Sequence, residues 1–472
     1  MGQLVAITAV AVALSTTLGP AAEASPLTLH VDPGSATCSD AYDRTSASDP
    51  TTPWCSLSPA TTLPEAGDTV LIEPTTYLGV LSPLVSGAVD APITYAADGS
   101  GVVLDGAGAA ATVKLVSLSY VQLQGLEIRG AASQGIWVSG STGITLSTLT
   151  VTGNPGHGVQ IKNSSGVTVT GSDIEGNGMA GIFEATGTTG GTYTNDVITG
   201  NGINGQPYNG DGIQLNGTGA YIEGNTISGN GDPGPYEHGI YAGPDATNYV
   251  VESNTLMDNA GSNVKAAGSG IVRYNDIQGG RMGVVLVDNT GDGVSVYYNL
   301  IHGQFQHPIF LTTDHIGAAI ARIWNNTIVS EGRTSTSTGD TSAVYINYSS
   351  SLDMRNNVIC YRSLDGSGVA VRVPDRTRAG GFTSNYNWFC TPDKYGRHFI
   401  VGSRRMTLSK WRQYMGQDRN SFASAPLNFS SEMRLPPDKW TVALGTPLGL
   451  TRDYVGTSVP ATGRPTMGAY QQ

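Results

Sequence analysis

Four side chains near the middle of the chain are of types that could transfer protons beside a carboxylate. The segment "HGIYAG" supplies His238 and Tyr241, "NVKAA" supplies Lys265, and Arg281 follows them. A lysine amine or an imidazole can act as a base, a phenol can act as an acid, and a guanidinium can neutralise a carboxylate. β-Elimination from a uronate sugar needs these three functions, provided that the fold brings the four residues together.

A repeat of short strands places these residues at matching positions of successive units. Glycine accounts for 63 of the 472 residues and charged residues for only 13%, a composition that favours stacked strands and tight turns over helices. Strand openings such as "GIWVS" and "GIQLN" recur at intervals of 20 to 35 residues. They begin at Gly135, Gly158, Gly181, Gly212, Gly239, Asn263, Gly283, Pro308, Ala343 and Val369. This spacing predicts an all-β solenoid.

A second repeated feature is an asparagine two residues before an apolar one. It recurs at Asn225, Asn254, Asn275, Asn299, Asn326, Asn357 and Asn387. Stacked in one turn, these side chains would form a hydrogen-bonded ladder along the axis. Cys360 and Cys390 each follow a ladder asparagine by three residues. Because adjacent coils lie about 4.8 Å apart, these two cysteines are spaced for a disulfide. Cys38 and Cys55, which are close in sequence, are expected to form the second.

The alternation of side chains along each strand indicates which residues face outward. In "GIWVS", Ile136 and Val138 face the core, whereas Trp137 faces out. The middle outward positions of successive coils are Trp137, Gln160, Phe183, Gln214, Tyr241, Lys265, Val285, Phe310 and Tyr345. The positions before each strand opening are Gln134, His157, Ala180, Asp211, His238, Ser262, Met282 and His307. Glu184 falls in an inward position, which indicates either a slipped register or a buried carboxylate with an unidentified partner.

Aromatic rings and amides on one rigid face are typical of a sugar-binding surface. We therefore expect substrate contacts from Trp137, Gln160, Phe183, Asp211, Gln214 and His157. The alternative is that loops or a terminal segment cover this face.

Lys265 is the most unusual member of this face, because only Lys162 and Lys265 occur between residues 117 and 390. It cannot point inward, since an unpaired ammonium in the core is very costly. Insertions in "TGNGINGQPYNGD" and "SGNGDPGPYEH" enlarge the coils beside it, and a third, "SEGRTSTSTGDTS", lies farther along. Such loops commonly wall off a site. The sequence thus predicts a cleft centred on Asp211, His238, Tyr241, Lys265 and Arg281.

The pattern resembles the right-handed parallel β-helix of the pectate-lyase-like superfamily. "PWCSLSPATTLPEAGDTVLIEPTTYLGVL" looks like an N-terminal cap of such proteins and "APITYAADGSGVVLDG" like a first coil. The resemblance implies a cap with the first coils over residues 26–116 and repeats over 117–390. It also implies a C-terminal cap over 391–472, with one short helix at Leu408–Met415.

The resemblance also implies a chemistry. Lyases of the chondroitinase B and alginate lyase types place Lys and Arg on neighbouring coils, so Lys265, Arg281, His238 and Tyr241 are the expected catalytic residues of a polysaccharide lyase. A Ca²⁺-ligating pattern of the kind found in those lyases is not evident, although Asp211 and Glu237 are candidates for a cation such as Ca²⁺. The same two carboxylates would suit the alternative of a glycoside hydrolase or transglycosylase. A non-catalytic carbohydrate-binding β-helix is the third hypothesis.

Charge and the N-terminal segment limit the partners and the compartment. The formal net charge of −12 argues against a nucleic-acid partner. It also favours a polymer with occasional uronates over a densely anionic one. An apolar run at residues 4–14, followed by small residues up to Ala24, resembles a signal peptide over residues 1–25 and is too short to span a bilayer. We expect a secreted, extracellular monomer that acts on a polysaccharide and does not bind a membrane.

Overall fold

The computed structural model describes most of the chain after residue 24. The described residues are 25–202, 210–232, 234, 236–313, 319–332, 341–349, 351–362, 368–378, 380–435 and 443–471. The predicted signal peptide lies outside them except for Ser25, and each of the three predicted loop insertions lies partly outside them. In the described part of the chain, no helix is long and apolar enough to cross a membrane.

The described strands form two long sheets that coil around one apolar core, as predicted, and their pairing is parallel except between Phe399–Val401 and Arg404–Met406. They make an all-β, right-handed parallel β-solenoid of about 12 turns. In most coils two strands join a 25-stranded sheet and one strand joins a 14-stranded sheet. Two consecutive coils run their first two strands together, in the continuous strands Ser262–Arg273 and Met282–Tyr297.

The strands of the larger sheet are Thr28–Val31, Thr69–Ile72, Ile93–Ala97, Ala111–Val116, Val121–Gln124, Gln134–Ser139, Thr145–Ser147, Val159–Lys162, Thr168–Thr170, Ile182–Glu184, Thr192–Thr194, Ile213–Leu215, Tyr221–Glu223, His238–Ala242, Thr247–Glu252, Ser262–Arg273, Met282–Tyr297, His307–Thr312, Ile320–Trp324, Ser342–Ile346, Ser351–Arg355, Val369–Val373, Phe382–Asn385, Phe399–Val401 and Arg404–Met406. The strands of the smaller sheet are Thr76–Leu78, Val103–Asp105, Glu127–Arg129, Thr150–Thr152, Asp173–Glu175, Val197–Thr199, Thr226–Ser228, Thr255–Met257, Asp276–Gln278, Leu300–His302, Thr327–Ser330, Val358–Tyr361, Trp388–Cys390 and Phe422–Ser424.

Helical structure is confined to short pieces. Single 3₁₀ turns span Ser46–Ser48, Pro59–Thr61 and Arg376–Arg378. The predicted α-helix is confirmed at Leu408–Met415. Thr407 caps its N-terminus by accepting a hydrogen bond from the Lys410 N–H, and Gly416 ends it in the left-handed conformation.

The predicted asparagine ladder is confirmed and runs further than expected. Asn225 Nδ2 donates to Asn254 Oδ1 at 2.9 Å, and the same bond continues from coil to coil as far as Asn387. Asp196 occupies the preceding ladder position, where its N–H donates to Asn225 Oδ1 at 2.8 Å. A second ladder, not predicted, links Asn154, Asn177, Asn201, Asn230, Asn259 and Asn263. These bonds satisfy buried polar groups at turns of successive coils.

Both predicted disulfides are present. Cys360 and Cys390 face each other across paired strands with their Cα atoms 4.5 Å apart. Cys38 and Cys55 lie 5.0 Å apart by the same measure. The first of these confirms the register that the asparagine spacing predicted, because only stacked positions of adjacent coils lie this close.

Glu184 is a buried carboxylate with a partner, so the register does not slip there. Its side chain is 0% exposed, and Tyr193 donates its hydroxyl to Glu184 Oε2 at 2.5 Å. Burial raises the pKa of Glu184. Gly191 and Gly217 make room for it, because a Cβ at either position would lie within 2.5 Å of a carboxylate oxygen.

Candidate functional site

The side chains in the middle outward positions of successive coils stack in the predicted order. Tyr241 pairs with Lys265, Lys265 with Val285, and Val285 with Phe310 on successive parallel strands. Phe310 then pairs with Tyr345. Strict parallel pairing brings side chains at matching positions to about 4.8 Å from one another. The strand register therefore places one column of side chains along the outside of the larger sheet.

A cleft of about 810 Å³ opens along this column. Its described lining residues are Tyr236, His238, Tyr241, Pro244, Lys265, Ala267, Arg281, Met282, Val285, Val287, Asp288, Gln306, His307, Phe310 and Thr312. All four residues expected to be catalytic are among them. The volume falls in the range of ligand-binding pockets.

Lys265 lies beside an aromatic wall of the cleft. Its Nζ is 5.5 Å from the centre of the Tyr241 ring, a cation–π distance. The rings of Tyr241 and His238 are 5.8 Å apart between centres. The structure thus brings an amine, a phenol and an imidazole within one sugar-sized region of the cleft wall.

His238 is held in its neutral form. Its side chain is 2% exposed, and its Nδ1 forms a 2.8 Å hydrogen bond with Ser262 Oγ. Burial, together with the neighbouring charge of Lys265, lowers the pKa of His238 to about 3. A neutral imidazole of such low basicity is a weak base, so its suitable role is to exchange hydrogen bonds with a ligand.

Arg281 is oriented by a residue that the sequence reasoning did not select. Its Nε donates to Gln306 Oε1 at 2.8 Å. A guanidinium fixed through Nε keeps its two Nη groups for bidentate binding of a carboxylate. Gln306 lies just before the strand His307–Thr312 and carried no distinguishing sequence signal.

His307 is a further cleft residue. Its Nδ1 lies 3.2 Å from the Ser342 carbonyl oxygen and 3.3 Å from Ser342 Oγ. Burial lowers the pKa of His307 to about 4, which keeps the ring neutral. His307 and Phe310 belonged to the predicted outward columns, and that signal could have placed them in the site.

Asp211 and Glu237 are buried and are not among the described lining residues of the cleft. Asp211 is 1% exposed and accepts a 2.7 Å hydrogen bond from the His238 N–H. Burial raises the pKa of Asp211. Glu237 Oε2 accepts from the Asp232 N–H at 2.5 Å. The described residues hold no group of three or more His, Cys, Asp or Glu side chains that could hold a metal ion, and a cation held by Asp211 and Glu237 stays a prediction.

The other expected substrate-binding residues continue the column toward the N-terminus, outside the cleft. Trp137, Gln160, Phe183 and Gln214 pair in this order on adjacent strands and are half-buried. His157 is buried, and its ring stacks on Phe183 with centres 4.6 Å apart. Their contact with substrate stays a prediction, because the described lining of the cleft runs from Tyr236 to Thr312 and does not include them.

Comparison with known proteins agrees with this architecture. The family model described as "Right handed beta helix region" matches residues 134–315 and 211–410, which together span more than half of the chain. Significant matches among the curated protein sequences are absent.

Two solved structures, an alginate lyase and XylC, show the fold in other proteins, and a third is similar over part of its length. The PL6 family alginate lyase AlyGC is 14% identical, with a TM-score of 0.53, over 88% of this chain and 55% of that one. XylC, solved in complex with xylose, is 10% identical, with a TM-score of 0.52, over 94% of this chain and 98% of that one. A GH136 lacto-N-biosidase from Eubacterium ramulus is 16% identical, with a TM-score of 0.49, over 67% of this chain and 65% of that one. The chain thus spans less than two thirds of AlyGC and of the lacto-N-biosidase, and the likeness concerns the fold.

Proposed function

We propose that this chain, which belongs to the right-handed β-helix family, is a polysaccharide lyase that cleaves a uronate-containing polymer by β-elimination. The observation that carries the proposal is the joint placement of Lys265, Tyr241 and Arg281 on the wall of one cleft. A base, an acid and a carboxylate-binding cation are the three groups that this reaction uses.

Each residue has a distinct part in the elimination. The Arg281 guanidinium binds the uronate carboxylate, which makes the proton on the adjacent carbon more acidic. The Lys265 amine removes that proton, and the electron pair of the broken carbon–hydrogen bond forms the new carbon–carbon double bond. The bond to the glycosidic oxygen then breaks, and the Tyr241 hydroxyl donates a proton to the departing oxygen.

The cleft lining favours elimination over hydrolysis. Hydrolysis by the common mechanism needs two carboxyl groups facing the scissile bond. Asp288 is the one carboxylate among the described lining residues, and Thr313 donates its hydroxyl to Asp288 Oδ1 at 2.9 Å. Asp211 and Glu237, the pair required by the hydrolase alternative, are buried.

The shape of the cleft supports an oligosaccharide ligand. From Tyr241 to Phe310 the column covers three coil intervals, about 14 Å in total. Beyond Lys265, the rings of Phe310 and Tyr345 stack with centres 5.2 Å apart, and Arg372 lies 5.4 Å from the centre of the Tyr345 ring. Stacked rings offer flat apolar surface to sugar rings. The alginate lyase activity of AlyGC and the xylose bound to XylC are consistent with a saccharide substrate.

We place this activity outside the cell. Two disulfides are stable in an oxidising compartment, and the described cysteines are all paired. Long polysaccharides do not enter cells, so an enzyme that cleaves them has to be secreted.

A polysaccharide panel tests the proposal. Alginate, polygalacturonate, glycosaminoglycans and neutral glucans are incubated with the protein, and ultraviolet absorbance of the new double bond is measured beside reducing ends. Absorbance from a uronate polymer is expected. Reducing ends without absorbance would show hydrolysis, and binding without either product would show a non-catalytic protein.

The Lys265→Ala variant tests the assignment of the base. It should lower kcat/KM by about 10²–10⁴-fold. Lys162→Ala is the matched control, because it removes the same charge from the same sheet outside the cleft and should leave the rate unchanged. Equal rates for the two variants would show that Lys265 is not the base.

A further inference from the structure

A second cleft lies at the C-terminal end of the solenoid and shares no residue with the first. It has a volume of about 540 Å³. Its described lining residues are Tyr386, Leu408, Arg412, Arg419, Asn420, Ser421, Phe422, Ala423, Leu444 and Arg464. The smaller sheet, the α-helix and the returning C-terminal segment each contribute to it. We call it the arginine cleft.

The lining of the arginine cleft carries three positive charges and no carboxylate among its described residues. Arg419 and Arg464 are exposed and form no ion pair with any residue that the structure describes. In a chain of net charge −12, such a concentration of unpaired arginine is unexpected. A cleft with this lining attracts an anionic ligand.

The Arg412 guanidinium is held by backbone carbonyl groups and not by a carboxylate. Its Nε donates to the Asp418 carbonyl oxygen at 2.8 Å, and Nη2 donates to the Ser421 carbonyl oxygen. The Asp418 carboxyl is buried and turned away, since it accepts from Trp411 Nε1 at 2.8 Å and from Ser421 Oγ at 2.6 Å. Arg412 is thus a positioned cation, which lowers the entropy lost when it binds an anion.

The cleft also presents a flat aromatic surface beside these cations. Phe422 is 37% exposed, and its ring stacks on Trp388 with centres 5.4 Å apart at 20°. Stacking holds the ring in one orientation. The Asn420 side chain, two residues earlier in the sequence, offers both a donor and an acceptor for hydroxyl groups.

From these features we propose that the arginine cleft is a non-catalytic binding site for an anionic saccharide. The arginines bind its uronate carboxylate groups, and Phe422 packs against the face of a sugar ring. The volume suits one or two sugar residues. The choice of a saccharide over another anion rests on the proposed function, since a lyase that holds its polymer at a second site would keep it near the first.

Affinity electrophoresis tests this site independently of catalysis. The background is Lys265→Ala/Arg281→Ala, so that the first cleft neither cleaves nor binds strongly. In gels containing alginate or polygalacturonate, this protein should be retarded. Adding Arg419→Ala and Arg464→Ala should weaken binding about tenfold or more, because each removes a charge-assisted contact. Both arginines are exposed, so these variants fold, and circular dichroism checks it.

Matched controls separate the site from general charge. Arg322→Ala/Arg404→Ala in the same background removes two charges elsewhere and should leave retardation unchanged. Equal weakening by both pairs, or no weakening by the first, would overturn the proposal. Retardation by dextran sulfate but by neither uronate polymer would show a general polyanion surface and would also overturn it. If no polymer yields unsaturated product while the first pair alone weakens binding, the lyase proposal fails and the arginine cleft stands.

Discussion

Asp196 is an acid in a ladder of amides, and its replacement by asparagine should stabilise the protein in a pH-dependent way. Its side chain is 1% exposed, Oδ1 accepts from the Ser172 N–H at 2.8 Å, and Oδ2 has no hydrogen-bond partner in the described structure. Burial raises the pKa of Asp196 to about 7 from its ordinary value of 3.8. The ionised form is therefore disfavoured in the fold.

The magnitude follows from this shift. Because the folded-state pKa is raised, the unfolded chain loses its proton first, and stability falls as pH rises from about 4 to about 7. Three pKa units correspond to about 4 kcal/mol. Asp196→Asn removes this loss. Its free energy of unfolding should therefore exceed that of the wild-type protein only slightly near pH 4 and by about 4 kcal/mol near pH 8. The new amide can also donate to the preceding coil, as Asn225 Nδ2 does to the Tyr193 carbonyl at 2.9 Å.

Guanidinium unfolding followed by tryptophan fluorescence at acidic, neutral and alkaline pH measures this difference. Asn225→Asp, which adds an acid at the next ladder position, should show the opposite trend. Asp90→Asn, on an exposed loop, should show none. A gain of equal size at every pH, or no gain at alkaline pH, would refute the reasoning that burial of the Asp196 charge limits stability.

Three further predictions concern the core, the disulfide and the cleft. Tyr193→Phe leaves the buried Glu184 without its hydroxyl donor and should lower the free energy of unfolding by about 1–3 kcal/mol, whereas an unchanged guanidinium midpoint would contradict this role. Replacing Cys360 and Cys390 by alanine opens a loop with a sequence separation of 30 and should cost about 3–4 kcal/mol. Reductant should also lower the guanidinium midpoint of the wild-type protein. Arg281→Gln should lower kcat/KM on a uronate polymer by about 10²-fold or more, and undiminished turnover would show that another group binds the carboxylate.

Local repetition made the register predictable. The spacing of the asparagines and of Cys360 and Cys390 led to the same stacking that the strand pairs show. The alternation within "GIWVS" correctly assigned Ile136 and Val138 to the core. These features depend on strand period and coil height, which are the same in every coil.

The depth of each side chain was not predictable in this way. Asp211, His157 and His238 occupy outward columns, yet all three are buried. Their exposure depends on what lies over the coil, and the strand period says nothing about that. For the same reason the sequence placed Asp211 at the centre of the cleft, whereas the described lining runs from Tyr236 to Thr312 and does not include Asp211.

Taken by itself, the sequence determined the solenoid, the order of its outward column and the pairing of Cys360 with Cys390, because each follows from positions that recur in successive coils. The tertiary structure decided which part of the column lines a cleft and which group donates a hydrogen bond to the buried Glu184 carboxylate, namely the Tyr193 hydroxyl. It also brought Arg412, Arg419 and Arg464 together in a second cleft. These outcomes depend on contacts between turns, a helix and a returning C-terminal segment that do not repeat. The repeat pattern of the sequence therefore does not predict them.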